Sequence, residues 1–346
     1  GLVDREFVES RTEGFDELAA MVADYTPERV AEICGIDARD LEAAAEMYAT
    51  AERAPIVYCL GVVEHSTGTE GVMALSNLAL AAGKLGRPGC GINPLRGQNN
   101  VQGACDMGAG PADFTGYQKV ANPEMRAKFE AAWGVELNQV AGLKATECFP
   151  AMIDGRIRGL FLFGEDPVRT DPDTGHVIRA LESLDFFVCE ELFMTETAKY
   201  ADVILPGRSY AEKEGTFTNT ERRVQRVRKA VDGPAGARLD TEVFADIMRR
   251  MGYDQPTLTG AQLMDEVASL TPSYAGISHA RLDSAAVAGQ GLQWPCTGPD
   301  HPGTRIMHEG AFSRGLGGYS LAQYRPSAEQ PDEEFPLVMV TGRVLA

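Results

Sequence analysis

The sequence lacks the short signatures that would tie it to a metal or a dinucleotide. Its 7 cysteines (Cys34, Cys59, Cys90, Cys105, Cys148, Cys189 and Cys296) include no CxxC pair. That removes the spacing on which zinc knuckles and iron–sulfur ligand runs are built. An odd number of widely separated thiols fits reduced, structural cysteines, and hence a reducing compartment such as the cytoplasm. There is no GxGxxG, which disfavours ordinary NAD binding. No apolar run approaches the roughly 18 residues of a membrane span, and the opening GLVDREFVES is charged where a secretory signal is apolar. Positive charge is scarce too: 32 Lys and Arg stand against 50 Asp and Glu, a formal charge of −18. Such a field repels phosphate backbones and anionic lipid, so neither nucleic acid nor a membrane is an expected partner.

What is present is an ordinary globular composition, 44% hydrophobic and 24% charged over 346 residues, long enough for two or more domains. TPERVAEICGIDARDLEAAAEMYATAE predicts a helix capped by Thr26 with Pro27 in its first position, a break at Gly35, and a second helix capped by Asp37. APIVYCLG reads as a short buried strand, and GTEGVMALSNLALAAGKLG as an apolar-striped helix ended by Gly86. Beyond residue 150 the alternation sharpens. RGLFLFGEDP, DFFVCEEL and DVILP read as strands, with a helix over DTGHVIRALESL and a helical turn or two at TETAKYA. Short apolar runs alternating with amphipathic helices predict an α/β fold with a parallel, doubly wound sheet, its strands near 159–163, 186–190 and 202–205. EKEGTFTNTERRVQRVRKAV then predicts a hairpin and DTEVFADIMRRMG a capped helix. From about 272 to 330 there is little periodicity.

Two places carry candidate chemistry. In open α/β sheets, ligands bind beyond the carboxyl ends of the strands. The first strand after residue 150 ends in Gly164, Glu165 and Asp166, and the second in Glu190 and Glu191. Acids there can hold a ribose or accept both N–H groups of a guanine edge; as solvated loop acids they would do neither. Asp166 and Glu191 are expected to line one crevice. The second place is PLRGQNNVQGACDMG, residues 94–108, where glycines and amides crowd together without helical or strand period.

GRPGCGINPLRGQNNVQGACDMGA resembles the large catalytic subunit of molybdenum- or tungsten-dependent formate dehydrogenases, in the molybdopterin oxidoreductase superfamily. FLFGEDPVRTDP, CEELFMTETAKYADVILP, EKEGTFTNTERRVQ and FPLVMVTGR continue the resemblance in order along nearly the whole chain. It implies Rossmann-like sheets of the molybdopterin oxidoreductase fold and a bis-molybdopterin guanine dinucleotide carrying Mo or W. Glycines would let the backbone approach a flat pterin, and Asn99 and Asn100 would match its heterocyclic edges. Arg96 would clamp formate bidentately, with Gln98 beside it in orienting substrate or cofactor. Relatives that reduce nitrate carry a Thr-Gly-Gln-Pro-Asn type of segment here, so Arg96 is the residue that points to formate. Gly164, Glu165, Asp166, Glu190, Glu191 and Thr195 become cofactor candidates, with His65 and Asn219 (beside Glu221 and Arg222) as further ones. His279, His301 and His308 are expected to be structural.

The resemblance also implies what lies elsewhere. The metal-bound cysteine or selenocysteine and a 4Fe–4S cluster would precede Gly1, and electron-transfer subunits would be partners of the intact enzyme. Since the chain begins without methionine and closes just after an apparent buried strand, it reads as an internal piece of a longer protein. By itself it is expected to hold no cofactor or metal and to be inactive. The expected division is 1–98 as the tail of a first α/β cofactor domain and 99–208 as a second, binding a guanosine. Residues 209–334 would pack toward the iron–sulfur domain, and 335–346 would begin a C-terminal domain. A cofactor-free scaffold, such as the large iron–sulfur subunit of respiratory complex I, and an unrelated nucleotide-binding module are the alternatives.

Overall fold

The computed structural model describes residues 1–327 and 329–338, and divides into two compact units: Gly1–Gly97 with the described residues from Arg305 on, and Gln98–Thr304. In the first unit the helix boundaries follow their caps. The Thr26 hydroxyl accepts the Arg29 amide at 3.3 Å and starts α1 (Pro27–Cys34), and Gly35, at φ 66, ends it. Asp37 then accepts the Arg39 amide at 2.8 Å and starts α2 (Ala38–Thr50). β1 (Pro55–Tyr58) and β2 (Gly91–Pro94) pair in parallel on either side of α3 (Gly68–Ala81) in sequence.

Two expectations are corrected here. The strand at 55–58 is not buried, for Val57 is 56% exposed and β2 is its one partner strand among the described residues. Helix α3 ends at Ala81 rather than running to Gly86, because the left-handed turn already comes at Gly83 (φ 63).

The second unit opens with a third correction. The stretch expected to be irregular through residue 108 becomes helical at α4 (Val101–Asp106), entered from Asn100 at φ 59. The parallel strands follow where the apolar runs place them: β3 (Gly159–Phe163), β4 (Phe186–Glu191) and β5 (Val203–Pro206), adjacent in that order, with Phe163 opposite Glu190 and Glu191 opposite Pro206. Strand alternation sorts the two faces. Leu160 and Leu162 pack with Phe149 of α5 (Ala145–Ile153) and with Val177 and Leu181 of α6 (Thr174–Glu182). Phe161 and Phe163 face the other way, their rings 5.5 and 5.6 Å from that of Phe244 on α7 (Asp240–Arg250). Helices therefore lie against both faces of β3, while β5 is more open, with Val203 38% and Ile204 37% exposed.

The predicted hairpin forms as β6 (Gly215–Thr218) and β7 (Arg223–Val227), and β8 (Leu292–Gln293) adds to β7 antiparallel. Val224 and Leu292 join Met264 of α8 (Gly260–Leu270), Tyr274, Ile277, Leu282 and Cys296 in a second core. Residues 209–304 stay in one unit with 98–208, because α7 seats Phe244 on β3 and β6 bonds to Asn100. Residues from 305 on cluster with the first unit instead. Of the expected start of a further domain at 335–346, Phe335–Val338 form no regular element and 339–346 lie outside the described residues. No helix among the described residues is long and apolar enough to cross a membrane.

Candidate functional site

The ends of β3 and β4 bring most of the expected acids together. Gly164, left-handed at φ 66, donates its amide to the Glu190 carbonyl at 3.0 Å, so the two strand ends turn side by side. Glu165 is exposed. Asp166 turns back into the protein: its Oδ1 accepts from the Thr197 amide at 2.9 Å and the Thr197 hydroxyl at 2.6 Å. Burial acts to raise this carboxyl, but the Thr197 bonds outweigh it and hold the group below its ordinary value. Asp166 thus fastens the turn at 197–200, an internal duty that its sequence position did not reveal. Thr195 serves the same turn, its hydroxyl accepting the Ala198 amide at 3.1 Å. Glu191 accepts the amide of its neighbour Leu192 at 2.7 Å. Burial first, and then the Glu191 and Asp166 charges, raise the Cys189 thiol.

Glu190 differs from both. It is 1% exposed, and neither carboxylate oxygen has a hydrogen-bond partner. It faces the α7 side of the sheet, where Lys213 and Asp240 pair with each other. Burial first, and the Asp240 charge second, push its carboxyl up to about 7, against the pull of Lys213 and Arg238. An orphaned carboxyl at a strand end can hold a proton near neutrality or, ionised, accept two N–H donors.

The amide-rich segment is held from one side. Arg96, two residues past β2, is exposed, as are Gln98 and Asn99. Asn100 is half-buried, and its Oδ1 accepts the Thr218 amide at 2.9 Å. Asn219 closes the β6–β7 turn, with its Oδ1 accepting from Glu221 at 3.0 Å and Arg223 at 3.1 Å. Glu221 is exposed; Arg222, left-handed at φ 63, donates to the Trp294 and Thr304 carbonyls. Asn219, Glu221 and Arg222 thus shape the hairpin that meets Asn100. Sequence reasoning missed Asp106, which lies fully buried one helical turn after Gln102 and accepts from it at 2.8 Å. The available signal was a charged residue within the otherwise small and apolar Gly-Ala-Cys-Asp-Met-Gly.

His65 is exposed, its Nε2 3.0 Å from the Gly61 carbonyl. His279 is buried against Arg226, and burial followed by the Arg226 charge lowers its pKa. His301 Nδ1 accepts the Gly303 amide at 3.1 Å. Among the described residues no group of three or more His, Cys, Asp or Glu side chains comes together to hold a metal ion.

A model of the molybdopterin oxidoreductase family matches residues 28–250. The chain belongs to the molybdopterin oxidoreductase family. Membership implies a molybdopterin-bound metal, and it agrees with the mixed α/β architecture of parallel sheets. The chain is 47% identical, over its whole length, to the F420-dependent formate dehydrogenase 2 subunit alpha of Methanococcus maripaludis, of which it covers 51%. To formate dehydrogenase H of Escherichia coli it is 39% identical, over 99% of this chain and 48% of that one. It spans about half the length of the curated relatives it matches. Acetylene hydratase from Pelobacter acetylenicus, at 23% identity and a TM-score of 0.60 over 81% of this chain and 41% of that one, shares the fold.

Proposed function

We propose that this molybdopterin oxidoreductase chain is the part of a formate dehydrogenase catalytic subunit that holds formate and the nucleotide end of bis-molybdopterin guanine dinucleotide. The observation that carries this is the similarity, along the entire chain, to formate dehydrogenase alpha subunits. It is supported by an exposed arginine in a loop free of regular structure just after β2. The orphaned Glu190 fits a polar ligand at the strand ends, since a buried carboxyl without a partner awaits N–H donors. Gly164 adds close backbone approach beside it.

In this reading Arg96 grips both oxygens of formate and leaves its C–H directed away from the guanidinium. Gln98 and Asn99 orient substrate and pterin edge, and Asn100, its Oδ1 already committed to Thr218, offers its side-chain N–H groups. Glu190 meets a guanine edge, with Glu165 and Glu191 at the rim. The bound molybdenum or tungsten would supply the acceptor for the hydrogen and two electrons that formate loses as carbon dioxide departs. Electron-transfer subunits, and a 4Fe–4S cluster carried elsewhere in the intact enzyme, would take the electrons onward in a reducing, cytoplasmic setting.

The test is metal and pterin analysis of the full-length protein together with formate-dependent reduction of a viologen dye. Stoichiometric guanine dinucleotide cofactor and dye reduction are expected. A cofactor-free, formate-inert protein would establish the scaffold alternative in its place.

A further inference from the structure

Asp106 has no exposed surface, yet it is surrounded entirely by donors. Its Oδ1 accepts from Gln102 Nε2 and Tyr117 OH, each at 2.8 Å; its Oδ2 accepts from Tyr274 OH at 2.6 Å and Trp294 Nε1 at 2.7 Å. Gln102 of the same helix, Tyr117 11 positions away, and Tyr274 and Trp294 168 and 188 positions away thus converge on one carboxylate. Helix α4, which bears it, is 6 residues long and has no side-chain cap bond at Asn100. So short a helix is not stable by its own hydrogen bonds, and its place is set by what its side chains reach.

The network extends toward the amide-rich segment. Asn100 Oδ1 takes the Thr218 amide, which ties the residue just before α4 to the end of β6. Gly103 leaves no room for anything else: a Cβ there would stand 2.1 Å from Asn100 Oδ1. Arg222 lies in the field of Asp106, with its guanidinium 5.5 Å from the Trp294 ring centroid.

Strain gathers in the same place. Among the described residues five non-glycine residues are left-handed, and three of them, Asn100 (φ 59), Tyr117 (φ 62) and Arg222 (φ 63), belong to this network. Such backbone persists where the surroundings over-determine it, most often at working sites. A core position this deep is apolar by default, and a single apolar residue would fill it without specifying four partners.

We propose that Asp106 is a positioning residue. By fixing α4 it fixes Gln98, Asn99 and Asn100, the residues just before the helix, in the arrangement that meets substrate and cofactor. This rests on the formate dehydrogenase reading for its kinetic consequence, but not for its structural one.

The experiment uses the full-length enzyme, with Asp106→Asn as the near-isosteric change that removes the charge. Val177→Ala, in the core beneath the sheet, is the control for general destabilisation. The first readout is amide hydrogen exchange across residues 97–106; the second is the split of kcat and KM for formate at matched cofactor content. Exchange in that segment should rise locally in Asp106→Asn and not in Val177→Ala. The Asn variant should also lose about tenfold in kcat/KM while the control keeps the parent value. Unchanged exchange overturns the proposal, and so does faster exchange with parent kinetics. Should Asp106→Asn fail to fold, Tyr117→Phe removes one donor and is read in the same way. A full-length parent that oxidises no formate defeats the functional reading alone, and the exchange data still decide whether Asp106 holds the segment.

Discussion

The Tyr274 hydroxyl donates to Asp106 Oδ2 at 2.6 Å across 168 positions of sequence, with both side chains out of solvent. Burial, and then the Asp106 charge, push the tyrosine hydroxyl far above its ordinary value, so it remains a donor at every working pH. Tyr274→Phe leaves Trp294 as the remaining donor to that oxygen. Hydrogen bonds to charged groups are worth about 2 kcal/mol. The expected result is a loss of that size in denaturant unfolding, as a lower midpoint with an unchanged slope.

Glu190 makes stability depend on pH with a definite sign. Folding raises its pKa from the ordinary 4.5 to about 7. The folded protein therefore keeps a proton that the unfolded chain has released, and the Glu190 contribution to stability is lost as pH rises between these values. The span corresponds to at most about 3 kcal/mol. Glu190→Gln cannot ionise, so its stability relative to the parent should climb from pH 5 to pH 8. Equal differences at both pH values would show that Glu190 is solvated or paired in the folded state.

Gly276→Ala tests the packing around the second core. A Cβ at Gly276 would stand 2.0 Å from the Gly298 carbonyl oxygen and 2.8 Å from Cys296 Sγ, and the Gly276 amide is bonded to the Cys296 carbonyl at 2.7 Å. The closest neighbour is backbone and the other is a fully buried, short thiol, so no long flexible side chain is there to absorb the strain. A loss of about 3 kcal/mol is expected in the same unfolding measurement, and a neutral result would mean that the 296–298 segment shifts freely.

The parallel sheet was legible because its cause is local. Leu-Phe-Leu-Phe and Val-Ile-Leu-Pro are short apolar runs that need no knowledge of the partner, and β3, β4 and β5 lie where those runs are, although Val203 and Ile204 stay partly open. The caps at Thr26 and Asp37 were legible for the same reason. The role of each acid was not. Glu190 and Glu191 are adjacent and chemically alike, yet strand alternation turns one toward α7 and the other toward the Cys189 side. Asp166 reads as a strand-end acid until Thr197, 31 positions away, occupies it. Asp106 is set by Tyr274 and Trp294, which no local pattern connects to it. The strand at 55–58 failed in the opposite direction, since apolar composition announces a buried strand whether or not both faces are covered.

Arg96→Lys, in the full-length enzyme, separates charge from geometry at the residue that points to formate. Lysine keeps the positive charge and so still draws an anion to the loop. It offers a point charge on a flexible stem where arginine offers a planar fork, so the two formate oxygens are no longer held in one plane. A bidentate, charge-assisted contact to a carboxylate in a desolvated site is worth a few kcal/mol, and each 1.36 kcal/mol is a factor of about ten in rate. The expected outcome is a fall in kcat/KM for formate by roughly two orders of magnitude or more. Pterin and metal content must be measured in the same preparation, because a variant that fails to load cofactor would lose activity for an unrelated reason. A fully loaded Arg96→Lys enzyme that turns formate over at the parent rate would make Arg96 a structural loop residue. The similarity to formate dehydrogenases would then stand without a residue in this chain to explain the choice of substrate.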